Sequence, residues 1–385
     1  MKRFFYISLL CLTGILPALA QQSEGMRKLS LADFAITHLY VDSVDESKLV
    51  EDAIRGMLEK LDPHSSYTTA EETKELTEPL QGNFSGIGIQ FNVVKDTLVV
   101  VQTISGGPSE KVGILAGDRF IAVNDTVIAG KGMKNNDMMK MLRGETGTTV
   151  RISVARRGVA TPIEFKIVRD RIPIHSIDAA YMIDKNTGYI RISRFAATTA
   201  DEFEQALRRL NKKRMKNLIV DLQGNGGGYL NSAVSIADDF LSDGQDIVYT
   251  EGRRSPRDYA RASRGGSFQR GKLAILVDEN SASASEILSG AVQDWDRGVI
   301  IGRRTFGKGL VQRPIPFPDG SMMRLTVSRY YTPSGRSIQK PYSEGREEYH
   351  RDLLNRYNHG EYMSADSIHF ADSLRYTTLK NKRTI

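Results

Sequence analysis

One cysteine, Cys11, occurs in 385 residues, and it lies in an apolar run near the N-terminus. Disulfides therefore add nothing to stability, which has to come from burial in the cores. Neither His-Glu-x-x-His nor Cys-x-x-Cys is present, so no metal and no other cofactor is expected. The glycine turn Gly224-Asn225-Gly226-Gly227-Gly228 lacks both the lysine of a P-loop and Gly-x-Gly-x-x-Gly spacing, which argues against a phosphate site. Net charge is a modest +7, and no aromatic-basic motif accompanies it, so nucleic acid is excluded as a partner. Sequence repeats, heptad arrays and low-complexity tracts are missing too. Long apolar runs are scarce. The one present spans Phe4 to Ala20, follows Lys2 and Arg3 and closes on Ala18-Leu19-Ala20, the form of a secretory signal with its cleavage site. It is short for a spanning helix. Residues 1–20 thus read as the signal peptide of an exported, periplasmic protein, with an uncleaved membrane anchor as the alternative. Leu10 before Cys11 is not the small residue that lipid attachment requires.

What is present is ordinary globular composition, 40% hydrophobic and 26% charged, at a length that suits two or three domains. Over residues 21–80 apolar positions recur at helical spacing (Leu31, Phe34, then Ile54, Met57, Leu58, Leu61), which predicts two helices ended by Leu61-Asp62-Pro63-His64-Ser65-Ser66-Tyr67. His64 reads as a turn histidine. Residues 83–168 alternate and turn like a small β-rich domain: Gly86-Ile87-Gly88-Ile89 leads into Gln90-Phe91-Asn92-Val93, and Asp137 to Leu142 suits a helix. From 171 to 340 strands and helices alternate, as in the strand 217–222 followed by the glycine turn and a helix over Ala233 to Leu241. Free N–H groups at such a turn face whatever the end of the sheet binds. The basic run from Arg253 to Lys272 reads as a solvated loop or hairpin. Residues 341–385 form a polar, partly helical tail.

The chemistry concentrates in two stretches. Leu273 to Val277 suits a buried strand, and Ser281-Ala282-Ser283-Ala284-Ser285-Glu286-Ile287 opens a helix whose inward face carries Ile287, Leu288, Ala291 and Val292. A serine at a helix N-terminus sits where developing negative charge is favoured. Serine needs a base, and no histidine stands in a motif of that kind. Lys308, between Gly307 and Gly309, does. To act near pH 7 its pKa must fall from about 10.4 to roughly 7–8, a cost near 4 kcal/mol that burial can supply. Gln312, four residues on, shares its face and is able to orient the amine. Taken singly, a Ser/Ala-rich helix start is often only a cap, and Gly-Lys-Gly only a turn.

Together the two stretches resemble the serine and lysine motifs of the C-terminal processing (tail-specific) peptidase family. The resemblance extends over Asp294-Trp295-Asp296-Arg297 and Tyr330-Tyr331-Thr332-Pro333-Ser334-Gly335-Arg336. It implies an exported serine endopeptidase with Ser283 as nucleophile, Lys308 as base 25 positions later and Gln312 as the orienting group. It further implies a mixed β/α catalytic core of crotonase/ClpP-like type over 171–340, so that the whole is a multidomain α/β protein. The glycine turn is similar to the family's D-L-R-G-N-P-G-G, with Gln223 and Gly226 departing, and implies the backbone N–H groups of Gly227 and Ala284 as oxyanion donors. Residues 83–168 resemble a PDZ domain whose Gly86, Ile87, Gly88 and Ile89 hold a peptide's C-terminal carboxylate. The implied partners are proteins or peptides with free apolar C-termini; an activating adaptor protein and a homo-oligomer stay open. Against the family, a final glycine-rich segment ending in G-Φ-x-P-D is missing, so the tail is expected to be truncated. A non-catalytic PDZ-bearing binding or chaperone protein is the alternative from another class; a crotonase-like acyl transferase fits poorly with a PDZ domain and an export signal.

Overall fold

The computed structural model describes residues 23–368 and 374–385. The expected signal peptide, with Cys11, lies outside the described residues. The chain divides into two compact units at Leu61 and Asp62. In the first, α1 (Glu24–Leu39) and α2 (Glu46–Glu59) form a helical pair. Ser23 and Asp45 cap them, accepting from the N–H groups of Met26 and Lys48 at 3.3 and 3.2 Å; each cap satisfies a donor that the first turn leaves open. Among the described residues no helix is long and apolar enough to cross a membrane.

The second unit opens on a turn tied by Asp62, whose carboxylate accepts from the His64 and Ser65 N–H groups, both at 2.8 Å, and from the Ser65 hydroxyl at 2.6 Å. The short strand β1 (Ser66–Thr68) and the helix α3 (Ala70–Gln81) follow. Sequence periodicity predicts only two helices before residue 80, because α3 is polar and contains Pro79. The signal it does carry is a capping box: Thr69 Oγ1 accepts from the Glu72 N–H, and Glu72 Oε2 from the Thr69 N–H. Next, β2 (Asn83–Gly86) runs to β3 (Ile89–Val93), β4 (Leu98–Thr103), the short helix α4 (Pro108–Lys111), β5 (Arg119–Val123), β6 (Thr126–Val127), α5 (Asn135–Leu142), β7 (Thr149–Ala155), β8 (Ile163–Val168) and β9 (Asp170–Pro173). Strands β3, β4, β5, β7 and β8 make one antiparallel sheet in that order, with β3 at an edge. Its core is Leu98, Val100, Phe120, Met138, Leu142 and Ile152, all buried. β2 pairs separately with β9.

Beyond it, β10 (Ile177–Met182), β11 (Thr187–Ile192), α6 (Thr199–Lys212), β12 (Asn217–Asp221), α7 (Leu230–Asp238), β13 (Asp246–Gly252), β14 (Ser255–Arg261), β15 (Lys272–Val277), α8 (Ala284–Asp294), β16 (Val299–Gly302), β17 (Leu310–Pro316), β18 (Met322–Tyr331) and α9 (Arg346–Asn358) alternate. One sheet runs β10-β11-β12-β15-β16, parallel except for β10. Such a sheet has to be covered by helices; Phe203 and Leu207 of α6, Ile236 of α7 and Ile287 and Leu288 of α8 do so and join its core.

A second, antiparallel sheet joins β1, β18, β13 and β14, with β17 also on β18. It departs from the expectation of a crotonase/ClpP-like core. That expectation comes from the family resemblance; here the strands beside Lys308 belong to a separate sheet that recruits residues 66–68 to a partner at 322–324. The basic run is the β13–β14 hairpin and its continuation, and Arg257 there pairs with Glu251 at 2.9 Å.

Candidate active site

The site forms where the C-terminal ends of β12 and β15 meet the start of α8. Beyond β12, buried Asn225 is the hub: its side chain donates to Ile192 O and accepts from the Gly227 N–H, both at 2.9 Å, while its carbonyl accepts from Ala282 N and Ser285 Oγ at 3.0 and 2.9 Å. Gly227 has φ +100°, and a Cβ there would stand 2.7 Å from Ala282 O and 2.8 Å from Ser283 Cβ. Only glycine permits this contact between turn and serine. Ser283 has φ 57° and ψ −112°, a conformation that costs a non-glycine residue about 1–3 kcal/mol.

The three serines of the run stand in different surroundings. Ser281 and Ser285 are fully buried; their hydroxyls donate to Leu222 O at 2.8 Å and to Asn225 O. Ser283 instead lines a cavity of about 750 Å³ together with Lys308, Gln312, Gly227, Arg324 and Tyr330. Ala284 begins α8, so its N–H has no acceptor within the helix. The Gly227 N–H, expected as the second oxyanion donor, is directed to Asn225 Oδ1 in this structure.

Glu286 holds the serine and lysine segments together. It is fully buried, and its two oxygens accept from Ser283 N (2.8 Å), Lys308 N (2.9 Å), Gly307 N (2.7 Å) and Thr305 Oγ1 (2.7 Å). Burial pushes its pKa up while these four donors oppose the shift. Buried Tyr330 adds a second tie: its hydroxyl faces the carbonyl oxygens of both Ser283, at 3.2 Å, and Lys308. Neither role is visible in sequence, where Glu286 is a first-turn helix residue and Tyr330 a strand aromatic.

Lys308 is sheltered, and burial, reinforced by the charge of Arg324, lowers its pKa from 10.5 to about 8, against smaller opposing effects of Glu286 and Asp62. Gln312 Nε2 donates to Leu310 O at 3.1 Å and Thr326 Oγ1 at 3.2 Å, and Thr326 Oγ1 donates to Asp62 Oδ1 at 3.0 Å. His64 lies outside the cavity lining; its Nε2 is 2.7 Å from Tyr349 Oη, and burial, with the Lys308 charge, takes its pKa down to about 4. The apolar wall of the cavity comes from Leu76 and Leu80 of α3, with Ile287, Leu310 and Met322. Elsewhere, Gly86 ends β2, Ile87 is buried, Gly88 has φ +74° and Ile89 begins the edge strand β3. Among the described residues no group of three or more His, Cys, Asp and Glu is placed to hold a metal ion.

A serine at a strained helix start and a sheltered lysine of depressed pKa line one cavity, an arrangement suited to a serine hydrolase. Comparison with known proteins narrows this. Residues 186–345 match the model of peptidase family S41, residues 85–167 that of the PDZ domain, and residues 16–73 that of the activating protease CtpB N-terminal domain. The carboxy-terminal-processing protease of Bartonella bacilliformis is 39% identical over 306 residues, covering 78% of this chain and 69% of that protein. Carboxy-terminal processing protease CtpB of Bacillus subtilis is 34% identical over 337 residues, with coverage of 85% and 69%. The photosystem II D1 C-terminal processing protease, a solved structure, aligns at 30% identity over 83% of this chain and 91% of that one, with a TM-score of 0.47. The chain belongs to the C-terminal processing proteases of peptidase family S41, and it is a serine endopeptidase carrying a PDZ domain. The expected crotonase/ClpP-like type is thereby corrected: the catalytic region is an S41 peptidase domain.

Proposed function

We propose that Ser283 is the nucleophile, Lys308 its general base and Gln312 the group that orients the amine, in an enzyme that trims exported proteins near their C-termini. The observation that carries this reading is the shared cavity: of the three serines, Ser283 alone lines it, beside a lysine whose pKa is lowered to about 8. Neutral Lys308 Nζ takes the proton of Ser283 Oγ as Oγ attacks the peptide carbonyl carbon. The oxyanion is met by the Ala284 N–H and by the Gly227 N–H once that turns from Asn225. The ammonium then protonates the departing amine, leaving an acyl-enzyme. Lys308 next deprotonates a water that attacks the ester, and Ser283 regains its proton. For the layout, we take residues 1–20 as an export signal, 21–80 as the N-terminal helical segment, 83–168 as the PDZ domain and 171–340 as the peptidase domain, with the protein acting in the periplasm.

The pH profile tests the base. Because the lysine pKa is depressed, the neutral amine grows as pH rises through about 8, so kcat/KM is expected to climb through that value and level off above it. A profile flat from about pH 6 to 10 contradicts the assignment of Lys308.

The PDZ domain recognises substrate C-termini. Among the described residues β3 is an edge strand paired with β4 alone, so an extended tail is able to add beside it with its carboxylate at Gly86-Ile87-Gly88-Ile89. A carboxylate held there raises the local concentration of the tail at Ser283. Substrates ending in a free apolar residue are expected to be cut about 10-fold faster or more than the same substrates amidated. Equal initial rates for the two would remove the PDZ domain from substrate selection.

A further inference from the structure

Arg324 acts on Lys308 through its charge, and its guanidinium is left open on the cavity wall. It lies near the start of β18, opposite Ser66 of β1 and Pro314 of β17, and lines the cavity as Met322 two positions earlier does. Strand residues two apart share a face. Other sheltered arginines of this chain are held by backbone carbonyls: Arg169 by Met141 and Leu142, Arg297 by Phe240, Phe268 and Gly271, Arg356 by Thr305. Among the described residues, the Arg324 guanidinium has no hydrogen-bond or ion-pair partner, although burial is enough to lower its pKa. The cavity lining also contains no aspartate or glutamate; its charged residues are Lys308 and Arg324. Lys308 has to be neutral to act as base, so Arg324 supplies the fixed positive charge of the site. Half-buried on the cavity wall, the guanidinium is open to a ligand, and a carboxylate offers it two parallel hydrogen bonds.

We propose that Arg324 is a substrate-carboxylate subsite beside the reacting bond, distinct from the carboxylate loop of the PDZ domain. This rests on the reading of Ser283 and Lys308 as the reacting pair. Docking there fixes the substrate's register against Ser283, so the enzyme favours a carboxylate at one set position relative to the bond that is cut. Two sources share that chemistry: an Asp or Glu side chain of the substrate, or the α-carboxylate of a short tail.

The test uses the full chain and quenched apolar peptides. A single Glu, or the equally long Gln, is walked through the positions on both sides of the cut, and each peptide is made as free acid and as amide. Wild-type enzyme is expected to prefer one carboxylate-bearing peptide by about 10-fold in kcat/KM. The preference should vanish in Arg324→Gln and persist in part in Arg324→Lys. A preference that follows the Glu position assigns the side chain as source; one that follows the free acid and is lost in Arg324→Gln assigns the α-carboxylate. Binding of the same peptides to Ser283→Ala, with and without Arg324→Gln, gives a readout independent of chemistry, and Arg324→Met replaces a variant that fails to fold. Should wild type cleave none of the peptides, the dyad reading is what fails, and the binding arm still decides this one. Carboxylate and amide peptides bound and cut alike, or discriminated equally well without Arg324, overturn the subsite.

Discussion

Replacing Ser283 by alanine is expected to lower proteolysis by at least about 10⁴-fold, because loss of the nucleophile removes the covalent route altogether. The fold should survive, since Ser283 is linked to its neighbours through backbone groups: its N–H to Glu286 and its carbonyl to Tyr330. Ser281→Ala and Ser285→Ala should show the reverse. Each deletes a buried hydroxyl bonded to Leu222 O or Asn225 O, a stability loss of about 1–2 kcal/mol that lowers the melting temperature while much activity remains. Lys308→Arg belongs with Ser283→Ala, because a guanidinium does not become a neutral base in proteins. The measurement is cleavage of a denatured protein by each purified variant, alongside its melting curve. Full activity in Ser283→Ala, or equal loss in all three serine variants with unchanged stability, would sink the assignment.

Sequence made the motifs legible because each is local: a buried strand, a turn of small residues, a helix start, a lysine between glycines. The strand and glycine turn after residue 217 lie where the sequence places them, as does the PDZ sheet, while the helix expected over 233–241 runs three residues earlier, Leu230–Asp238. The antiparallel sheet was not legible. It pairs Tyr67 with Met323 and Tyr249 with Tyr331, and such long-range register leaves no mark in a single sequence beyond alternation. Arg324 is hidden in the sequence for the same reason: alternation says which residues share its face, not that the face lines the cavity with Lys308. The missed helix α3 matters to function, as its Leu76 and Leu80 wall the cavity. Its polar composition comes from lying on the surface with one narrow apolar stripe, too short to register against a proline.

Glu286→Gln is expected to reduce kcat by about 100-fold or more with the fold retained, since a reacting group misplaced by about 1 Å costs that much. Four donors converge on the two carboxylate oxygens, three of them backbone N–H groups that have no alternative role. An amide offers one acceptor end and one donor end. Thr305 Oγ1 is able to reverse and accept, but the Gly307 N–H on the same oxygen is not, and turning the amide round would confront the N–H groups of Ser283 and Lys308 instead. Either way a buried donor faces a donor, at a cost of about 1–3 kcal/mol, and strain falls on the segment that carries the base. A second readout separates this from general loosening. The Glu286 charge favours the ammonium form of Lys308, opposing burial and Arg324. Removing it should therefore lower the lysine pKa further, so the midpoint of the pH profile moves below about 8. The check is the pH dependence of single-turnover cleavage by Glu286→Gln against wild type. An unchanged kcat with an unshifted midpoint would mean that Glu286 neither places Lys308 nor sets its charge.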